Sequence, residues 1–191
     1  GSKIPCFGLT GPNNGSDATG SIDVGTVIKD ENGKIQIEVD INKRYITLAP
    51  IANLIGLAFN VEDPEEILES RQKGITVALI EKGHVGLNQE YYHNPLDVGF
   101  PNGTLKGKIR IDLDQIIGGE KNIGEGWKML MECLAAGRGI CLPATANASS
   151  KVSMLSMYLY TKHRKQFKIP LIAMEGIENK LANMLYNTWA I

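Results

Sequence analysis

The stretch CFGLTGPNNGSDATG, residues 6–20, sets four glycines, a proline and two asparagines around the hydroxyls of Thr10 and Ser16. Glycines let backbone N–H groups approach an anion and hydroxyls add donors, so the loop has the composition of an anion cradle. The same residues also make a tight turn, with Gly and Asn supplying positive φ and Pro12 fixing its own. Neither GK[ST] nor GxGxxG is present, which excludes a Walker or a Rossmann phosphate loop. In NKRYITLAP, Tyr45 offers a flat apolar face and Thr47 an orienting hydroxyl, a pairing common in cofactor sites and equally common as plain strand sequence. Arg138 sits in the small-residue apolar run LAAGRGICL, where burial would demand a partner or ligand. Cys6, Cys133 and Cys141 show neither CxxC nor Cys/His spacing, so no metal site is expected and all three read as buried, reduced thiols. His84, His93 and His163 lack a paired acid or cysteine and read as surface residues.

The elements that must position these residues fall into two textures. A formal charge of −1 with interspersed acids and bases gives no long-range attraction to nucleic acid. No apolar run approaches the roughly 18 residues of a spanning helix, and no signal-peptide pattern opens the chain, so a cytoplasmic location is expected, with peripheral attachment to a bacterial inner membrane left open. From residue 20 to 117, short β-favouring runs such as KIQIEVDI, GLAFNV, GITVALIE and GKIRIDL alternate with turn signals ENGK, PNGT and EKGH. This reads as an antiparallel barrel or sandwich, interrupted by a short surface helix in DPEEILESRQKG. Beyond GGEKNIGEG, Trp127, Leu130, Met131 and Leu134 recur at helical spacing, and Pro143 is expected to kink or break the helix near residues 139–142. The predicted class is α+β: a β-domain over 1–120, then long antiparallel helices over 121–191. The helical pattern Leu181, Met184, Leu185, Trp189 meets no stop signal before Ile191, which reads as an incomplete helical domain.

Five stretches in order resemble the acyl-CoA dehydrogenase family: CFGLTGPNNGSDA, NKRYITLAP, GITVALIEKGHVGL, IDLDQIIGGEKNIGEGWKMLMECLAAGRG and HRKQFKIP. CFGLT, NKRYITLAPIA, GLAF and GRGI look closest to the large bacterial fatty-acid β-oxidation branch. The resemblance implies a middle β-domain followed by the start of a C-terminal helical bundle, with non-covalent FAD between them. It implies cofactor contacts from Phe7, Leu9, Thr10, Ser16, Tyr45, Ile46 and Thr47, and from Arg164, Gln166 and Phe167 to the FAD of a neighbouring subunit, hence a homo-oligomer. It implies acyl-CoA contacts from Ser16, Ala135, Gly137 and Arg138, with Ala135 standing where several relatives have an acid. The implied reaction is α,β-dehydrogenation of a fatty acyl-CoA, with electrons passed to electron-transferring flavoprotein. The family's usual glutamate base falls beyond residue 191, and on the first helix the position beside the arginine is Gly137, so no catalytic base is expected within this chain and the chain alone is expected to be inactive. An acyl-CoA oxidase, or a β-barrel scaffold that has lost its cofactor, are the alternatives.

Overall fold

The computed structural model describes residues 1–20, 22–69, 73–89 and 91–191. It divides into two compact units, Gly1–Leu130 and Met131–Ile191.

The first unit is built on one sheet. Its strands are β1 (Pro5–Gly8), β2 (Val24–Lys29), β3 (Ile35–Thr47), β4 (Leu54–Glu62), β5 (Ile75–Glu81), β6 (Tyr92–His93) and β7 (Asn102–Asp112), in the order β1-β4-β2-β3-β7-β6 with β5 on the other edge of β4. The ENGK signal is a real turn: Asp30 Oδ1 accepts from Asn32 and Lys34 N–H at 2.8 Å each, and Gly33 takes φ +80°. Alternation then sends Ile37, Val39 and Ile41 of β3 inward to meet Ile109 and Ile111 of β7 and Ile55, Leu57 and Phe59 of β4 in one core. β4 carries side chains buried on both faces and reads as the near-continuous apolar run of a central strand. The α+β class holds, but the sheet is mixed rather than purely antiparallel. β1 and β2 both run parallel to β4, because each reaches it through a long excursion rather than a hairpin.

The second face of β4 and β5 carries Ala58, Ile75 and Val77, covered by Ile22 and by Leu130 of α1 (Gly126–Ala136). Gly126 lets this helix start against β5, since a Cβ there would lie 2.5 Å from the Ile75 carbonyl oxygen. The helix expected in DPEEILESRQKG is absent from residues 63–69; residues 70–72 lie outside the described residues. The Asp63 carboxylate takes the N–H groups of Ile67 and Leu68 at 2.9 and 2.8 Å, and Glu66 adopts φ +51°, so a side-chain turn replaces helical hydrogen bonding.

In the second unit Pro143 does not break the chain's helix. Residues Gly137–Cys141 form a π turn flanked by helical backbone at Ala136 and Leu142, and Leu142 N–H donates to the Gly137 carbonyl, five residues back. Widening the turn absorbs the proline's bulk and missing donor at the start of α2 (Leu142–His163). A hairpin of β8 (Lys165–Gln166) and β9 (Ile169–Pro170) leads to α3 (Glu175–Ala190), which packs on α2 around a cavity of about 460 Å³ lined by Met154, Tyr158, Leu181 and Leu185. Of the cysteines only Cys6 is buried; Cys133 and Cys141 are exposed, contrary to the expectation of three buried thiols.

Candidate functional site

The glycine-rich loop is tied down by one side chain that composition does not reveal. Asn14 is buried; its Oδ1 accepts from Gly11 N–H at 2.5 Å, and its Nδ2 donates to the carbonyls of Leu9 and Ala18 at 3.4 and 3.2 Å. Only glycine fits at position 11, where a Cβ would meet Asn14 Oδ1 at 2.8 Å and the Asn42 carbonyl at 3.0 Å. The loop then closes on β3: Arg44 N–H donates to the Thr10 carbonyl at 2.9 Å, and Lys43 Nζ donates to the Leu9 carbonyl at 3.2 Å.

Lys43 is the second residue that motif reading passed over. Its side chain is 1 % exposed and its ammonium lies 3.0 Å from Asp23 Oδ2, which also accepts Asn42 N–H at 3.1 Å. Burial pushes the Lys43 pKa down, with the Asp23 charge and hydrogen bond opposing that shift. Desolvation exceeds attraction, so the pair holds Leu9 and Asn42 in place more than it stabilises the fold.

Past Lys43 the strand bulges. Lys43 pairs with Leu105 and Ile46 with Gly103, so two residues of β3 oppose one of β7, and Tyr45 takes φ +58°. The extra residue switches the inward set from odd to even numbers. Ile46 is thereby 3 % exposed, packed in the core, and can offer a ligand only its backbone, whereas Tyr45 is 53 % exposed and Thr47 is exposed. Arg44 sits 5.0 Å over the Tyr45 ring, His93 meets that ring edge-on with centroids 4.8 Å apart, and the Thr47 hydroxyl donates to Asn102 Oδ1 at 3.2 Å.

The structure thus brings Leu9 against Lys43 and Thr10 against Arg44, with Tyr45, Ile46 and Thr47 following on the same strand. Phe7 lies on β1, half exposed, beside Gly56 of β4, where any Cβ would meet its ring at 2.9 Å. Ser16 is exposed on the loop beyond Asn14. Ala135, Gly137, Arg138, Arg164, Gln166 and Phe167 belong to the second unit. There Arg138 is exposed in the π turn, so burial does not require a partner for it as its apolar neighbourhood had suggested. Phe167 and Lys168 form the two-residue hairpin loop with φ +51° and +68°, and Phe167 is 88 % exposed at its tip. No group of metal-ligating side chains occurs among the described residues.

No protein-family model matches the chain. Individual proteins do. Protein HemX of Proteus mirabilis is 41 % identical over 101 residues, which cover 52 % of this chain and 59 % of HemX. The short-chain-specific acyl-CoA dehydrogenase of Megasphaera elsdenii is 28 % identical over 187 residues, covering 96 % of this chain and 45 % of the enzyme. The solved butyryl-CoA dehydrogenase of Megasphaera elsdenii superimposes with a TM-score of 0.75 at 25 % identity, over 99 % of this chain and 46 % of that one. Fold and motifs together define the class: a middle β-domain with following helices of the acyl-CoA dehydrogenase type. Relatives that match nearly the whole of this chain include acyl-CoA dehydrogenases and also a 3-(aryl)acrylate reductase of Clostridium sporogenes, 30 % identical over 189 residues that cover 96 % of this chain and 46 % of that protein; the chain spans about half the length of these relatives.

Proposed function

We propose that the protein carrying this chain is an FAD-dependent acyl-CoA dehydrogenase that converts fatty acyl-CoA thioesters to trans-2-enoyl-CoA, the first oxidation of fatty-acid β-oxidation, and passes electrons to electron-transferring flavoprotein in the cytoplasm. The observation that carries this reading is the bulge at Arg44–Tyr45, which leaves the Tyr45 ring and the Thr47 side chain exposed on the strand whose Arg44 N–H is bonded to the Thr10 carbonyl. The residues suit a flat heteroaromatic cofactor. Tyr45 and Phe7 offer partly exposed rings for apolar contact, and Thr10 and Thr47 offer hydroxyls that orient a polar edge. When bound, FAD supplies the hydride-accepting chemistry; this chain's residues bind and orient it. Gly11 keeps the loop close to β3, and Lys43 and Asn14 fix the Leu9 carbonyl, so the Thr10 hydroxyl starts from a defined backbone.

The base that takes the α-proton belongs outside this chain. The Arg164–Phe167 hairpin, with Phe167 projecting at its tip, serves a neighbouring subunit in a homo-oligomer, and Arg138 with the backbone of Ala135–Gly137 faces acyl-CoA. The fatty-acyl substrate is supported by CFGLT, NKRYITLAPIA, GLAF and GRGI, the stretches that resemble the large bacterial branch. FAD titration of the protein at its full natural length tests the reading: Tyr45→Ala and Thr47→Val should each weaken FAD at least about 10-fold, the cost of one lost aromatic or hydrogen-bond contact. Unchanged affinity in both variants would overturn it. Reoxidation in air compared with reoxidation by electron-transferring flavoprotein separates a dehydrogenase from an oxidase.

A further inference from the structure

The outer face of β3 and β7 carries a row of charges that is neutralised at one end and open at the other. Gln36 faces Asp112, Glu38 faces Arg110 and Asp40 faces Lys108 across the ladder. Within this stretch the cations are paired: Lys108 Nζ lies 2.6 Å and Arg110 Nε 3.3 Å from Glu38, and Lys34 Nζ lies 2.7 Å from Asp112, while Asp40 stands opposite Lys108 and has no ion pair of its own among the described residues. One step further the acid is replaced, since Asn42 faces Lys106, and Arg44 follows at the bulge. Among the described residues no carboxylate pairs with Arg44 or Lys106.

These two cations lie on a cavity of about 360 Å³ whose walls are Pro12, Asn42, Arg44, Asn88, Tyr91, Thr104 and Lys106. Pro12 belongs to the glycine-rich loop, so the segment that composition marked as an anion cradle does border a cationic hollow, though with side chains as the charged donors. A guanidinium fork, an ammonium, two amides and two hydroxyls around one hollow supply donors in excess of acceptors, the set that recognises phosphoryl oxygens. Arg44 is also braced, by its backbone bond to Thr10 and by the Tyr45 ring under its guanidinium, which lowers the cost of ordering it. We propose that this cavity is a binding site for a phosphate-bearing small molecule, recognised through a diphosphate by Arg44 and Lys106, on a surface that needs no contribution from the helical unit.

Isothermal titration of the chain with inorganic pyrophosphate tests this. Saturable one-to-one binding is expected, weakened at least about 10-fold by Lys106→Gln and by Arg44→Gln, since each removes a charge-assisted contact. Lys108→Gln, on the same row but paired with Glu38, should change affinity by less than about twofold. Asn42→Asp, which completes the row of acids, should abolish binding while leaving the circular dichroism spectrum unchanged. A parallel titration with ADP identifies the source of the diphosphate: tighter binding than pyrophosphate marks a nucleotide, equal binding marks the diphosphate alone, and either supports the proposal. No saturable binding up to about 10 mM, an affinity too weak for a formed site, overturns it, as does an equal loss in Lys108→Gln. FAD titration of the same variants is a separate readout, so failure of the cofactor reading leaves this result interpretable.

Discussion

Replacing Lys43 with methionine removes one partner of a buried ion pair and keeps the length of the apolar stem. Removing one member of a fully buried pair costs about 3–5 kcal/mol, because the remaining charge is stranded. Asp23 keeps 15 % side-chain exposure and can recruit water, which lowers the cost. The Leu9 carbonyl retains Asn14 as a donor, which lowers it again. A loss of about 2–4 kcal/mol follows, or about 1–2 M in urea midpoint for an m-value near 2 kcal/mol per M. The assay is urea unfolding followed by Trp127 fluorescence in a Trp189→Phe background, because Trp127 lies in the first unit and Trp189 in the second. Since desolvation outweighs attraction at Lys43, neutralising both partners should recover stability: Lys43→Met with Asp23→Asn is expected to exceed Lys43→Met alone by at least about 1 kcal/mol, the asparagine still accepting Asn42 N–H. A single variant within about 0.5 kcal/mol of the parent, below the scatter of surface substitutions, or a double variant no better than the single, would refute the assignment of Lys43 as the buried strut of the loop.

Three further outcomes are expected. Burial pushes the Cys6 thiol up to about 11, so between pH 9 and that value the unfolded chain releases a proton the folded chain keeps, and stability falls by up to about 1.4 kcal/mol per pH unit. Urea midpoints across that range should show the slope in the parent and lose it in Cys6→Ala. In the β8–β9 hairpin, Lys168 holds φ +68° in a two-residue loop whose favoured residues are Asn and Gly, so Lys168→Gly should stabilise the second unit by about 0.5–1 kcal/mol, read as a raised midpoint by Trp189 fluorescence. Thiol labelling with a small disulfide reagent should give two fast groups, Cys133 and Cys141, and one slow group, Cys6, with the slow phase accelerating in Lys43→Met if loosening of the Leu9 backbone spreads into β1.

The α+β class was legible because both hydrophobic periods are written plainly, period two in KIQIEVDI and helical spacing from Trp127 to Leu134. The mixed character of the sheet was not, since a parallel pairing between β1 and β4 joins residues about fifty positions apart and leaves no local signature. The short helix expected after Asp63 failed for a local reason: the Asp63 carboxylate that would cap a helix instead closes a turn. Pro143 was read correctly as incompatible with a regular helix, but a π turn is a milder answer than a break, and sequence does not choose between them. At the candidate site, the hydroxyl, ring and glycine residues were visible by type, whereas the bulge that separates the side-chain fates of Tyr45, Ile46 and Thr47 depends on the pairing of β3 with β7. Asn14, Lys43 and Asp23 were passed over because an asparagine in a loop, a lysine in a strand and an aspartate before one carry no signal until burial is known.

If the bulge next to the Leu9–Thr10 loop presents an FAD-binding surface, as proposed, acyl-CoA must reduce a flavin held there. The most direct measurement is anaerobic addition of a fatty acyl-CoA to the FAD-loaded protein at its full natural length, followed by flavin absorbance. Bleaching of the flavin band, with FAD retained in the parent and lost on dilution in Tyr45→Ala, is the predicted result. A protein that takes up no FAD, or that binds it with equal strength when Tyr45 and Thr47 are both removed, has no flavin site at this bulge.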